Sequence, residues 1–238
     1  MYFKNESNRQ MSKPRTVIAS IGSHGEKIVN GLNEQGLLEA DFMTHNELIK
    51  DSSKNIFILF IVYCPKDNCI DKVDELAGLY TNKTVIEIII TDKIERQNPH
   101  YIISNLSVDG VVEEISTLIK AFTDLGKFPL QSCIDMADIV DSLKNAGKLQ
   151  MKEFTFEGSG DYNAFNQFLV FLRTTKKIKT VWLQIYLHAD EGLLYIVLEK
   201  LLDALSLNLG SATNVLWNVS YEEPILKDEK NWFVLLFC

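Results

Sequence analysis

Between Ile56 and Cys64 the chain reads IFILFIVYC, nine consecutive residues without a charge or a turn former. A strand that is apolar at every position has no face to give to water, so it must be covered on both sides. That arrangement is typical of parallel sheets layered between helices. The β-branched and aromatic content favours a strand over a buried helix, and the run is far short of the ~20 residues that a membrane-spanning helix needs. TVIEIII, from Thr84 to Ile90, is a second segment of the same kind.

The segments around these two runs alternate as a parallel sheet requires. TVIASIG predicts a strand running into Gly22, and HGEKIVNGLNEQG a helix stopped by Gly36. EADFM reads as a further strand, IDKVDELAGLY as a helix and HYIISN as one more short strand. In VDGVVEEISTLIKAFTDLG the apolar residues Val108, Val111, Val112, Ile115, Leu118, Ile119 and Phe122 recur at helical spacing, which predicts a long amphipathic helix. Beyond Gly126 come the helix MADIVDSLKNAG, the strand LQMKEFTFEG, the helix DYNAFNQFLVFLR, the strand TVWLQIYLH and the helix EGLLYIVLEKLLDALS. The strands TNVLWNVSYEE and NWFVLLF close the chain around a polar turn. The expectation is an α/β protein with a mobile tail at 1–15, a Rossmann-like parallel-sheet domain with the long central helix at 16–125, and an α+β domain at 126–238.

Composition narrows the function classes. With 46% hydrophobic residues in 238 the chain can bury a sizeable core. A net charge of -8 opposes unspecific attraction to nucleic acid or to an anionic membrane surface, both of which rest on Lys and Arg neutralising phosphate. The polar start MYFKNESNRQMSKPR lacks the apolar core of a secretory signal, so a cytoplasmic protein without direct membrane insertion is expected. Cys64, Cys69, Cys133 and Cys238 lack paired zinc spacing and are expected as free thiols. His24, His45, His100 and His188 are scattered without metal-ligand spacing, and no metal site is expected.

Two places could carry chemistry. In IGSHGEKIV, Gly22, Ser23 and Gly25 lie between a strand and a helix, where many folds receive a phosphate on the helix N-terminus. The plainer reading is a turn followed by a helix that caps itself with Glu26 in its first turn. In CIDMAD, Asp135 and Asp138 stand three apart at a loop-to-helix junction. There they would serve as N-cap and third-position acid.

The stretch FPLQSCIDMADIVDSL, placed after a long helix, resembles the loop PGLINVDFADV of the tubulin-like division GTPase FtsZ and its relatives. TVWLQIYLHADEGLLYIVLEKLLDAL is similar to the family's strand, acidic turn and helix, and TNVLWNVSYEEPILKDEKNWFVLLF to its closing hairpin. Upstream, IFILFIVYCPKDNCIDKVDELAGLY and KTVIEIII have the rhythm of its strand, phosphate loop, helix and strand. The resemblance spans most of residues 16 to 238. It implies that Asp135 and Asp138 reach into the nucleotide site of the next subunit in a filament and polarise the water that attacks GTP, with Cys133 where the family has asparagine.

Where the family has a loop close to GGGTGTG, this chain has YCPKDNC, with no glycine and with Asp67 placed where phosphate would lie. Little sequence separates MTHNELIKDS from the third strand, or TDKIERQNP from HYIISN, so the helices that frame base and ribose are expected to be missing. The chain closes at Cys238, right after the last predicted strand, so the family's membrane-adaptor tail is not expected either. The leading expectation is a shortened FtsZ/tubulin-like protein that needs no cofactor. It would act through self-association or contact with another FtsZ/tubulin-like subunit, in a process such as cell division. Two alternatives stay open. One is a polymerising GTPase using GTP and Mg at Gly22, Ser23 and Gly25, and the other is a small-molecule-binding α/β protein sharing only the fold.

Overall fold

A computed structural model describes residues 15–36, 38–51, 56–90, 96–103, 108–125, 136–144, 146–156, 162–175, 178–187, 191–221 and 231–238. Its centre is one nine-stranded sheet. The first five strands are β1 (Arg15–Ile21), β2 (Asp41–Thr44), β3 (Ile56–Tyr63), β4 (Thr84–Ile90) and β5 (His100–Ile103). The remaining four are β6 (Lys148–Phe156), β7 (Thr180–Leu187), β8 (Asn214–Tyr221) and β9 (Asn231–Phe237). They lie in the order β2-β1-β3-β4-β5-β6-β9-β7-β8. Pairings from β2 to β6 are all parallel. The apolar run IFILFIVY is β3, and seven of its eight residues are buried, as a central strand covered on both faces requires.

The helices are α1 (Gly22–Gln35), α2 (His45–Lys50), α3 (Ile70–Leu79), α4 (Val108–Leu125), α5 (Met136–Leu143), α6 (Tyr162–Thr174) and α7 (Glu191–Asn208). Gly36 ends α1 in the left-handed region, at φ +63°. Leu48 of α2 and Val73 and Leu76 of α3 pack with Val17, Ala19, Leu59 and Ile61 on one face of the parallel strands. The opposite face is closed by α1 and α4. Of the seven periodic residues of the long helix, Val111, Val112, Ile115, Leu118, Ile119 and Phe122 are buried, and the side chain of Val108 lies outside the described residues.

One core runs through both halves of the sheet. Trp182 and Tyr186 of β7 and Val234 and Leu236 of β9 pack with α4 in the same cluster as Ile18, Phe60 and Ile86. Phe122 stands between the halves, its ring centroid 6.4 Å from that of Phe60 and 5.9 Å from that of Trp182. On the other face of the second half, α6 and α7 cover Leu183, Ile185 and Phe233. The backbone seam between halves is thin, since β5 and β6 share only the pairs His100↔Lys148 and Tyr101↔Leu149.

The last two strands depart from the expected hairpin. β9 inserts antiparallel between β6 and β7, and β8 pairs parallel with β7 at the edge. Side-chain burial explains the order. Phe233 through Phe237 are all buried, which an interior strand permits, whereas Val215, Leu216 and Trp217 of β8 are only partly buried.

Candidate functional site

The start of α1 is capped by a carboxylate that comes from another part of the chain. Strand β1 ends at Ile21, and Gly22 turns the chain into the helix with φ +78°, a conformation that L side chains rarely adopt. Gly25 is buried against β3, and a Cβ on it would lie 2.4 Å from the Val62 carbonyl oxygen, so the glycine lets α1 rest on the sheet. These two positions leave the first amides of α1 open to a group in front of them, where the positive end of the helix favours an anion.

That group is Asp67. It closes the one-turn 3-10 segment Pro65–Asp67 after β3, and Asn68 follows in the left-handed region at φ +51°. Asp67 Oδ2 accepts from the His24 backbone N–H at 2.9 Å, and Oδ1 lies 2.6 Å from His24 Nδ1 and accepts from Ser23 Oγ at 3.4 Å. A Cβ on Gly22 would sit 2.4 Å from Oδ2, which shows how closely the carboxylate fills the space. Burial alone would raise the Asp67 pKa. The amide and imidazole of His24, helped by the Ser23 hydroxyl, outweigh it and hold the carboxyl below its ordinary value.

The structure thus brings together the predicted Gly22, Ser23 and Gly25 and adds His24 and Asp67 to them. It corrects the reading of Glu26 as the cap. The helix begins at Gly22, so Glu26 is its fifth residue, exposed and past the first turn, which holds no acid. Lys66, the other charge of the turn, is exposed.

Of the two acids in CIDMAD, Asp138 is exposed and is the third residue of α5, in its first turn, as the capping pattern requires. Asp135 and Cys133 lie outside the described residues. Cys64, Cys69 and Cys238 are free thiols. His45 Nε2 pairs with Glu75 Oε2 at 3.0 Å and His100 Nδ1 with the Asn98 carbonyl at 3.0 Å, while His188 lies outside the described residues. No cluster of His, Cys, Asp and Glu among the described residues has metal-binding geometry. No described helix is long and apolar enough to cross a membrane.

Sequence reasoning missed two polar networks. Glu87, fully buried in β4, accepts from Tyr63 Oη at 2.8 Å, Arg96 Nε at 2.7 Å and Asn98 Nδ2 at 2.9 Å. Arg96 also reaches Asp74 of α3. Burial lowers the Arg96 pKa, and its bonds to Glu87 and Asp74 more than reverse this, so its net shift is upward. Burial first, then the Glu87 charge, raises the Tyr63 pKa. The signal was present as the lone carboxylate of TVIEIII, since a charge inside an apolar run needs a partner. In the second network Asp124 Oδ2 accepts from Lys120 Nζ at 2.7 Å and Tyr186 Oη at 3.0 Å. Asn218 Nδ2 donates to the Asp124 carbonyl at 2.9 Å, tying the end of α4 to β7 and β8.

No family model matches this chain, and no curated protein matches its sequence. Solved structures do match. An empty FtsZ dimer from M. jannaschii aligns over 96% of this chain and 89% of its own, with TM-score 0.67 and 11% identity. A GTPgS-bound CetZ2 protofilament from Haloferax volcanii aligns over 94% and 92%, with TM-score 0.64 and 11% identity. TubZ from Clostridium botulinum phage c-st aligns over 94% and 92%, with TM-score 0.59 and 14% identity. At such identities the likeness is one of fold: the chain has an FtsZ/tubulin-like fold.

Proposed function

We propose that this chain, built on an FtsZ/tubulin-like fold, is a subunit or modulator of a filament-type assembly that works through protein contacts and neither binds nor hydrolyses GTP. The observation that carries the reading is the Asp67 carboxylate seated on the amino end of α1, 2.9 Å from the His24 amide. A phosphate brought to the same amides would meet a fixed negative charge, which the net charge of -8 does nothing to offset. The turn that supplies Asp67 contains Pro65, which has no N–H to offer, and Lys66, which is exposed. Guanine nucleotide and magnesium therefore do not fit the residues present.

The assembly half of the reading is supported by the fold's relatives, which include a CetZ2 protofilament and GDP-form protofilaments of TubZ from Bacillus thuringiensis serovar israelensis. The exposed Asp138 in the first turn of α5 is the contact residue within the described chain, with Asp135 three residues before it in sequence. Its partner is a second copy or a related subunit.

The deciding experiment titrates fluorescent GTP with magnesium into the purified protein, with a GDP competition arm, and follows assembly by sedimentation. The expected result is no saturable binding up to millimolar nucleotide and self-association or partner binding that ignores it. Competable micromolar binding, or GTP hydrolysis above a buffer blank that Asp135→Ala abolishes, overturns the proposal.

A further inference from the structure

Away from the α1 site, at the opposite end of the parallel strands, the structure holds a cavity of about 410 Å³. It lies where β4 and β5 begin, between the carboxyl end of α3 and the helix α5. Its apolar wall includes Val85 and Leu143, both buried, and the half-buried Val140. Among the described residues, the charged ones on its lining are Lys83 and Lys144, the latter paired with Asp141 just outside it. In a chain with 32 acidic and 24 basic residues, a pocket lined by cations alone runs against the overall balance.

Thr81, Asn82 and Asn98, all polar, also line the cavity. Lys144 Nζ pairs with Asp141 at 2.5 Å, but both side chains are mostly exposed, at 64% and 70%. A surface pair of that kind contributes little and exchanges readily for another anion. Concave shape, an apolar wall and a few convergent polar groups together describe a small-ligand site.

We propose that this cavity binds a small organic anion, with a carboxylate, sulfonate or phosphate head between Lys83 and Lys144 and a compact apolar body against Val85, Val140 and Leu143. Such a ligand bridges α3 and β4 to α5. The site does not depend on the assembly reading.

The probe is 8-anilinonaphthalene-1-sulfonate, whose sulfonate and rings match this chemistry, with uncharged N-phenyl-1-naphthylamine as its neutral counterpart. Fluorescence titration of the full chain is expected to give one saturable sulfonate site. Binding should weaken at least tenfold in the Lys83→Glu, Lys144→Glu variant and stay unchanged in Lys27→Glu, Lys179→Glu, which alters net charge equally. Val140→Trp, which fills the cavity, should abolish it while circular dichroism remains native. If Val140→Trp does not fold, the two charge variants decide the matter alone. Equal binding to the two charge variants, equal affinity for the neutral dye, or no saturable site overturns the proposal.

Discussion

The His24 backbone amide donates to the Asp67 carboxylate across 43 residues of sequence, at 2.9 Å, so a turn after β3 supplies the N-terminal cap of the helix after β1. Replacing Asp67 by Asn keeps the shape and removes the charge. A carboxylate charge at a helix N-terminus contributes about 0.3–1 kcal/mol, and urea denaturation at pH 7 should show that difference. Because the folded carboxyl titrates below its ordinary value, its contribution is complete above the unfolded Asp pKa of about 4 and fades as pH falls through the lower folded one. The gap between wild type and Asp67→Asn should therefore close in strong acid. A gap that persists once the carboxyl is protonated in the folded state would mean that its charge is not what stabilises the cap.

Two glycines should respond in opposite senses to the same change. Gly25→Ala drives a methyl group to 2.4 Å from the Val62 carbonyl and should destabilise the fold by about 2 kcal/mol or more, by the scale of overpacking. Gly78, exposed within α3, has nothing within 4 Å of an added Cβ. Gly78→Ala should stabilise by about 0.5–1 kcal/mol through helix propensity. Paired melts of the two variants check both signs at once.

Removing Glu87 leaves the Arg96 guanidinium with Asp74 alone and the Tyr63 and Asn98 donors without their acceptor. Breaking one side of a buried charge pair costs about 3–5 kcal/mol. Glu87→Ala should approach that figure, and Glu87→Ala with Arg96→Met should recover part of it. A double-mutant cycle measured by chemical denaturation gives the coupling directly.

Truncating Phe122 opens a cavity between Phe60 and Trp182. Phe122→Ala should cost about 3–5 kcal/mol. Trp182 is fully buried, and its Nε1 donates to Ser142 Oγ at 2.8 Å, so its emission reports the junction. Unfolding followed by Trp182 in a Trp217→Phe, Trp232→Phe background should coincide with unfolding followed by circular dichroism. Separate transitions would show that the halves melt independently.

The strands and long helices were legible because their signals are local. The solid apolar runs of β3 and β4, the period of α4 and the stop at Gly36 each lie within one element. α2 went unassigned because six residues carry too little periodicity, although Thr44 and Glu47 form a capping box that THNE spells out. The partner of the α1 amides was not legible as a contact: Asp67 reads as a misplaced charge in a loop until the fold sets that loop against Gly22. The positions of β8 and β9 depend on which strand can tolerate an edge, a comparison between distant segments that neither segment contains.

Because Asp67 is tethered, the anion on α1 is neither lost to the solution nor diluted. A tethered group competes at an effective concentration in the millimolar range, regardless of what the surrounding solution holds. Any dissolved anion that seeks those amides must displace a competitor that travels with the protein. Its apparent affinity is then lowered by the full ratio of that effective concentration to the tethered group's own dissociation constant.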